Sequence, residues 1–245
     1  MEPILLIIGI ILLGPLIGSL IGVLKRPSEL FMFNMLAFAG GVMISISFLE
    51  LIPESINMSS VWLCCTGIMV GSLAMYALDK IIPHIHPELG KQEQGCKLKR
   101  ASIYLFFGIM LHNFPEGMAL AAGTIIGYNT LLALTIAMAV HNVPEGICTS
   151  APLYHSTGKR LKSFLLSFST GFSELAGFLI AALVFKSISP GISGIIIGAT
   201  AGVMIYISAD ELIPSACNGL EGKWGHSTIF SLILGVLFVI LLGLI

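Results

Sequence analysis

Long apolar runs separated by short polar segments dominate this chain. Runs of about 20 apolar residues match the hydrocarbon thickness of a bilayer, about 30 Å. Proline or glycine marks most of the polar segments between them. The pattern predicts eight membrane-spanning helices, which we number as spans one to eight: 4–24, 32–54, 61–82, 101–126, 129–153, 161–185, 191–216 and 227–245. We therefore expect an all-α integral membrane fold, with residues 1–245 forming a single transmembrane domain.

The composition supports this interpretation. The chain is 56% hydrophobic and only 10% charged, whereas a soluble domain carries about 25% charged residues. So few charges cannot cover a surface that faces water. The net charge of −1 gives no indication of a nucleic-acid partner. The five cysteines form no CxxC pair, so neither a disulfide framework nor a zinc ribbon is indicated.

The basic residues predict an orientation in the membrane. Eleven of the twelve lie in or beside alternate loops, and only Lys186 falls on the opposite side. Because cytoplasmic loops carry an excess of Lys and Arg, this asymmetry predicts that the 83–100 loop is cytoplasmic. Both termini are then extracytoplasmic, in an inner or plasma membrane of the cell.

Spans two and seven contain a repeated sequence. GGVMISISFLELIPES (40–55) and AGVMIYISADELIPSA (201–216) are identical at ten of sixteen positions. Because the spans are five apart, the two copies run in opposite directions, as in transporters whose substrate sites lie at the interface of inverted repeats. Chance similarity between apolar helices is the alternative. The shared ELIP, with Glu50 and Glu211 at one register, favours the repeat.

A second repeat brings polar residues into spans four and five. HNFPEG (112–117) recurs 29 residues later as HNVPEG (141–146). The two motifs lie on either side of a turn near Tyr128, each about 14 residues away, which is about 21 Å along a helix. The spans are antiparallel neighbours, so the sequence predicts that both motifs meet at one depth near the bilayer centre.

The hexapeptides have the composition of a metal site. In each copy the histidine and glutamate are four residues apart and share a helix face. Two such faces present two imidazoles and two carboxylates, a ligand set for a divalent first-row metal. The asparagines offer carbonyl oxygens to a neighbouring position, and the final glycines allow close helix packing. The candidate ligands are His112, Asn113, Glu116, His141, Asn142 and Glu145.

A further acid, Glu174, lies in the middle of span six. A carboxylate at the bilayer centre costs about 2.5–3.5 kcal/mol on insertion scales. Glu116, Glu145 and Glu174 together then cost roughly 8–10 kcal/mol, comparable to the stability of a whole domain. A lone histidine in a helix is often only a helix–helix contact, but helix packing does not explain this many buried acids. A bound cation would neutralise them.

These features resemble the ZIP (zinc/iron-regulated transporter-like) family of divalent metal transporters, in its compact prokaryotic GufA/ZupT-like branch. The resemblance rests on both hexapeptides, Glu174 and the eight spans. It implies movement of metal into the cytoplasm, a 3+2+3 inverted-repeat fold and a homodimer. It also implies that spans one, four, five and six move against the other four. The 83–100 loop holds only His84 and His86 rather than a long histidine-rich tract.

The resemblance further implies a binuclear centre shared by helices four, five and six. One metal position would use the two His–Glu pairs, and the adjacent one would use Asn113, Asn142 and Glu174 with shared glutamates. Outside this centre, the direction of span two places Glu50 and Glu54 toward the outer face, where they would attract incoming cations. Span seven runs the other way, so Asp210 and Glu211 would guide their exit. The alternative for Glu50 and Glu211 is a polar contact within the inverted repeat.

The ligand set suits Zn²⁺ first, as transported substrate, and also Fe²⁺, Mn²⁺, Co²⁺ and Cd²⁺. A membrane-embedded metalloenzyme is a competing hypothesis, but the chain lacks the HExxH motif that supplies ligands and a general base. We therefore expect no catalytic residues and no resident cofactor. A proton or sodium antiporter that uses the same carboxylates is the second alternative. A membrane scaffold without a transport function would not explain the buried acids.

Overall fold

The computed structural model describes residues 2–24, 28–81, 106, 109–110, 113–118, 120–121, 124, 127–185, 189–218 and 225–242. Every regular element within these ranges is a helix. The α-helices are α1 (Glu2–Leu24), α2 (Glu29–Ile46), α3 (Ile52–Met58), α4 (Val61–Ile81), α5 (Tyr128–Thr157), α6 (Arg160–Phe185), α7 (Pro190–Ile207), α8 (Ile213–Asn218) and α9 (Gly225–Leu242). One π-helical turn, Ser47–Leu51, joins α2 to α3, and another, Ser208–Leu212, joins α7 to α8.

The structure is consistent with the predicted all-α membrane protein, since its described elements are helices and several are of membrane-spanning length. Among the described residues, five helices are long and apolar enough to cross a bilayer: Ile4–Leu24, Phe33–Met58, Leu131–Ala151, Arg160–Val184 and Pro190–Asp210. Val61–Ala77 and Gly225–Leu241 are shorter apolar helices. Large apolar side chains such as Leu5 (66% exposed), Leu183 (68%) and Phe230 (65%) face outward, as they do toward lipid. The count of eight spans stays a prediction, and the 83–100 loop lies outside the described residues.

Local sequence explains where several helices begin and end. The Ser28 hydroxyl accepts a hydrogen bond from the Phe31 N–H at 3.2 Å and so caps the start of α2. Pro190 occupies the first turn of α7, where its missing N–H removes no intrahelical bond. Gly158 ends α5 in the left-handed conformation (φ 66°) and donates its N–H to the Tyr154 carbonyl.

The helices pack mainly in two groups, which also meet where α2 contacts α5. In the first group, α1 lies along α5 and α6, which also contact each other. In the second, α4 lies along α7 and α9 lies along α2. Glycines make the long contacts of the second group close: a Cβ at Gly41 would meet the Leu232 backbone, and one at Gly202 would meet the Ile68 backbone. Gly41 and Gly202 occupy the same position in the repeated sequence, so the two copies pack on their neighbours in the same way.

Gly71→Ala should destabilise the second group. A Cβ at Gly71 would collide with the backbone of Ala199 in α7, and overpacking of this kind costs roughly 1–3 kcal/mol. The measurement is the Tm of the purified protein in detergent. Gly9→Ala is the matched control, because nothing lies within 4 Å of a Cβ at Gly9. Equal Tm values for the two variants would contradict this packing.

Candidate metal centre

Three side chains from two helical segments meet at one buried point. The His141 Nε2 atom in α5 lies 3.0 Å from Glu116 Oε1, in the helical segment 113–118, and 2.9 Å from Glu145 Oε1. The ligand atoms of all three residues lie within 4.8 Å of one another. Glu116 and His141 are 0% exposed and Glu145 is 2% exposed. We call these three residues the EHE cluster.

Helix geometry and close packing hold the cluster in place. His141 and Glu145 are one turn apart on α5, which continues through Pro144 without a break. A Cβ at Gly117 would collide with the backbone of Glu174 in α6, and one at Gly146 would meet the backbone of Gly18 and Ser19 in α1. The predicted close approach at both motif glycines is therefore confirmed. Each HNxPEG segment lies directly against a different helix.

The helices α6 and α1 contact the two HNxPEG motifs at equivalent positions. A Cβ at Gly177 in α6 would meet the carbonyl of Phe114, and a Cβ at Gly18 in α1 would meet the carbonyl of Val143. Phe114 and Val143 are the third residues of their hexapeptides. The backbone of each motif is thus held at the same point, by α6 in one case and by α1 in the other.

A second polar group lies beside the cluster. Asn142 Nδ2 donates a hydrogen bond to Glu174 Oε2 at 2.6 Å, and both side chains are buried. Among the described residues, the Asn142 Oδ1 and Glu174 Oε1 atoms have no hydrogen-bond partner. Because buried polar atoms are almost always paired, these two oxygens are available to a ligand. The structure therefore places Glu174 of α6 against Asn142 of α5.

The Asn113 amide contacts a carboxylate of the EHE cluster in one of its two orientations. In one orientation its nitrogen donates to the Thr170 carbonyl at 3.4 Å. With the amide oxygen and nitrogen exchanged, the nitrogen donates to the Ile109 carbonyl at 2.8 Å and to Glu145 Oε2 at 3.2 Å. The exchanged orientation gives two shorter bonds, so we adopt it. Asn113 then links the first hexapeptide to a carboxylate of the second.

Other predicted residues lie elsewhere or outside the described part of the chain. The side chain of His112 is outside the described residues, although the helical segment that follows it is placed. Glu50 and Asp210 are partly buried in the two π turns and do not belong to the EHE cluster. Nothing is described for the side chain of Glu211.

The geometry of the EHE cluster suits a cation better than a proton. One imidazole nitrogen faces two carboxylate oxygens at similar distances, and a single N–H cannot point at both. A divalent ion accepts all three atoms as ligands and offsets the repulsion between the carboxylates. Zinc bonds of about 2.0 Å place tetrahedral ligand atoms about 3.3 Å apart. A small outward movement of the three side chains would therefore admit the ion.

Sequence reasoning missed the part that α1 has in this site. Gly14, Gly18 and Gly22 are spaced four residues apart and face the stretch of α5 that carries HNVPEG. A Cβ at Gly14 would meet the Ala139 carbonyl and the Asn142 side chain. This GxxxG spacing is a known signal for close helix packing in membranes.

A buried hydroxyl chain adds to this contact between α1, α5 and α6. The Ser19 hydroxyl donates to the Ser167 hydroxyl at 2.7 Å, and Ser167 donates to the Gly146 carbonyl at 3.0 Å. Gly146 directly follows Glu145. The chain therefore fixes the backbone of α5 next to a cluster carboxylate.

Comparison with known proteins places the chain among metal transporters. The sequence model of the family described as "ZIP Zinc transporter" matches residues 86–243, more than half of the chain. The chain is 35% identical over 213 residues to "Zinc transporter ZupT" of Salmonella heidelberg (strain SL476), which covers 82% of this chain and 81% of that protein. The proteins of the same name from Salmonella newport (strain SL254) and Salmonella paratyphi A (strain ATCC 9150 / SARB42) give the same identity and coverage.

Zinc should stabilise the folded protein through the EHE cluster, and a chelator should reverse the effect. A ligand at 100 times its Kd adds about 2.7 kcal/mol to the free energy of unfolding, which raises Tm in detergent. Glu116→Gln should lose most of this zinc-dependent rise, because the site then lacks one charged ligand. Glu54→Gln, in the partly buried α3 and outside the cluster, is the control. A zinc-dependent rise that Glu116→Gln leaves intact would contradict binding at the cluster.

Proposed function

The chain belongs to the ZIP zinc transporter family, and on that premise we propose that it moves divalent metal into the cytoplasm through the EHE cluster. Membership of this family makes the protein a metal transporter rather than an enzyme. One observation carries the proposed route: carboxylates from two helical segments lie 3.0 and 2.9 Å from the same buried imidazole nitrogen. Ionisable groups inside a membrane are rare and mark the pathways of substrates or ions, and two carboxylates on one imidazole are suited to a divalent cation.

Zinc is the first substrate that we propose, and Fe²⁺, Mn²⁺, Co²⁺ and Cd²⁺ are further ones. The relatives are named as zinc transporters, and imidazole with carboxylate is a common zinc ligand set. The same ligands also accept the other four ions, which differ from zinc mainly in preferred geometry. Cation competition against zinc influx ranks them.

We propose that the centre is binuclear. The EHE cluster and His112 would hold one ion. Asn113, Asn142 and Glu174 would hold the second, with the cluster glutamates shared between the two. The hydrogen bond from Asn142 to Glu174, and the contact of Asn113 with Glu145 in the exchanged orientation, support adjacent positions. The Asn142 and Glu174 oxygens that have no hydrogen-bond partner in the described part of the chain would supply acceptor atoms for the second ion.

The proposed architecture is eight spans in a 3+2+3 inverted repeat. The packing of α1, α5 and α6 as one group supports a mobile bundle that also contains span four. The packing of α2, α4, α7 and α9 as a second group supports the frame against which that bundle moves. We further propose a homodimer in the cell membrane, inner or plasma, with both termini extracytoplasmic, as the distribution of basic residues predicts.

Carboxylates in the π turns mark the proposed ends of the route. Glu50 would attract cations on the outer side, and Asp210 with Glu211 would receive them on the cytoplasmic side. The partial burial of Glu50 and Asp210 supports this assignment, because each carboxylate is neither fully solvated nor packed away. The matched positions of Glu50 and Glu211 in the repeat would give entry and exit similar surroundings.

The Glu116→Ala plus Glu145→Ala double variant should abolish ⁶⁵Zn²⁺ influx into proteoliposomes. The native chain should show saturable influx, because both carboxylates are ligands to the transported ion. Glu29→Ala, at the first position of α2 and outside the proposed route, serves as control and should keep the native rate. If the native chain is folded and correctly oriented but shows no influx, the result would favour the antiporter hypothesis. That hypothesis is then tested by measuring whether zinc blocks proton flux.

Zinc influx should weaken as the pH falls from 7 to 5. Metal binding requires a neutral imidazole and ionised carboxylates, so protons compete with the ion for the same atoms. Influx is measured at fixed free zinc in a pH series without a gradient. Influx that rises steadily toward pH 5 would count against direct ligation by the histidine.

A further inference from the structure

Both copies of the repeated sequence contain a π turn at the same place. The turns Ser47–Leu51 and Ser208–Leu212 lie 161 positions apart, which is also the offset between the repeats that begin at Gly40 and Ala201. In each turn the N–H of the following isoleucine bonds the carbonyl of the first serine, five residues earlier. Single π turns inside α-helices are uncommon and are frequent at functional sites.

A buried serine occupies the first position of each π turn. The Ser47 hydroxyl donates to the Met43 carbonyl at 2.9 Å, and the Ser208 hydroxyl donates to the Met204 carbonyl at 2.8 Å. Both serines are 0% exposed. A serine hydroxyl bound to the carbonyl four residues earlier weakens and bends a helix, so each serine acts at the point where the α-helix opens.

A proline six residues after each serine completes the arrangement. Pro53 has no N–H for the Leu49 carbonyl, and Pro214 has none for the Asp210 carbonyl, so the α-helical ladder is interrupted at one register in both copies. Ser45 provides the comparison. Its hydroxyl donates to the Gly41 carbonyl at 2.8 Å in the same way, but residue 51 is a leucine, and Ser45 lies within α2 rather than at the first position of the π turn.

The π turns set the direction of the pathway carboxylates. A π turn adds one residue to a helical turn, which rotates the residues within it relative to an α-helix. Leu51 and Leu212 are buried at the ends of the turns, while Glu50 and Asp210 remain partly exposed. Each turn also packs against the long helix of the other repeat, Ser47–Leu51 on α7 and Ser208–Leu212 on α2.

We propose that Ser47 and Ser208 are paired positioning residues, which hold the two helices in the π register and so aim the carboxylates at the two ends of the metal route. This assignment rests on the proposed transport function for the route itself. Both serine hydroxyls bond to carbonyls of their own helices, and neither serine belongs to the EHE cluster. They therefore act on the movement of metal to and from the cluster, not on ligation within it.

The first test compares Ser47→Ala and Ser208→Ala with Ser45→Ala in zinc influx. Each of the first two variants should raise the half-saturating zinc concentration about fivefold. Loss of one buried hydrogen bond shifts the equilibrium between the π turn and other helix conformations by about this factor. The zinc-dependent rise in Tm should stay at its native size, and Ser45→Ala should match the native chain in both measurements. Ser47→Thr keeps a hydroxyl and should restore influx. If Ser47→Ala and Ser208→Ala behave like Ser45→Ala, the assignment is wrong while the transport function stands.

A second measurement does not depend on transport. Glu50→Cys, in a background without native cysteines, is labelled with a charged maleimide in membranes. Adding Ser47→Ala should change the labelling rate about fivefold, whereas adding Ser45→Ala should not. Deleting Phe48, which is 55% exposed, removes the extra residue of the π turn and should change labelling in the same direction as Ser47→Ala. Equal rates in all backgrounds would overturn the assignment even if influx itself were absent.

Discussion

The burial of carboxylates around one imidazole is the constraint on which this structure depends. Glu116, Glu145 and Glu174 are at most 2% exposed, and two of them face the same nitrogen of His141. In a medium of low dielectric constant this arrangement is unfavourable unless a positive charge joins it. On the proposed route, transport would provide that charge repeatedly, since each ion that enters would neutralise the site and its departure would restore the unfavourable state. The site is therefore well suited to bind an ion and to release it.

The packing of the helices keeps this unfavourable arrangement from relaxing. Glycines on α1 and α6 bring those helices against the backbone of the two HNxPEG segments, and the bond from Ser167 to the Gly146 carbonyl fixes the residue after Glu145. With the backbone held at both motifs, the carboxylates cannot separate by bending of the helices. Close helix packing in the membrane thus maintains the electrostatic strain that a metal relieves, and the two π turns lie outside this block, in the helices beside which it would move.

Much of the fold and the site could be predicted from the sequence, for identifiable reasons. Apolar runs of membrane length predicted the long helices. The four-residue spacing of His141 and Glu145 predicted that both side chains lie on one helix face. The equal distance of the two hexapeptides from Tyr128 predicted that they meet at one depth, and in the structure Glu116 of the first lies 3.0 Å from His141 of the second. The π turns could not be predicted from hydropathy, because one added residue hardly changes the apolar pattern. Only the combination of a serine with a proline six residues later, present at Ser47 and Ser208, carries that information.

The location of bound zinc tests the central claim most directly. Crystals of the zinc-loaded protein, measured on both sides of the zinc absorption edge, give an anomalous map that identifies zinc by element. Ligation by the EHE cluster predicts a peak about 2.0–2.2 Å from His141 Nε2 and from an oxygen of each of Glu116 and Glu145. Zinc at full occupancy elsewhere in the protein, with no peak among these three side chains, would contradict it.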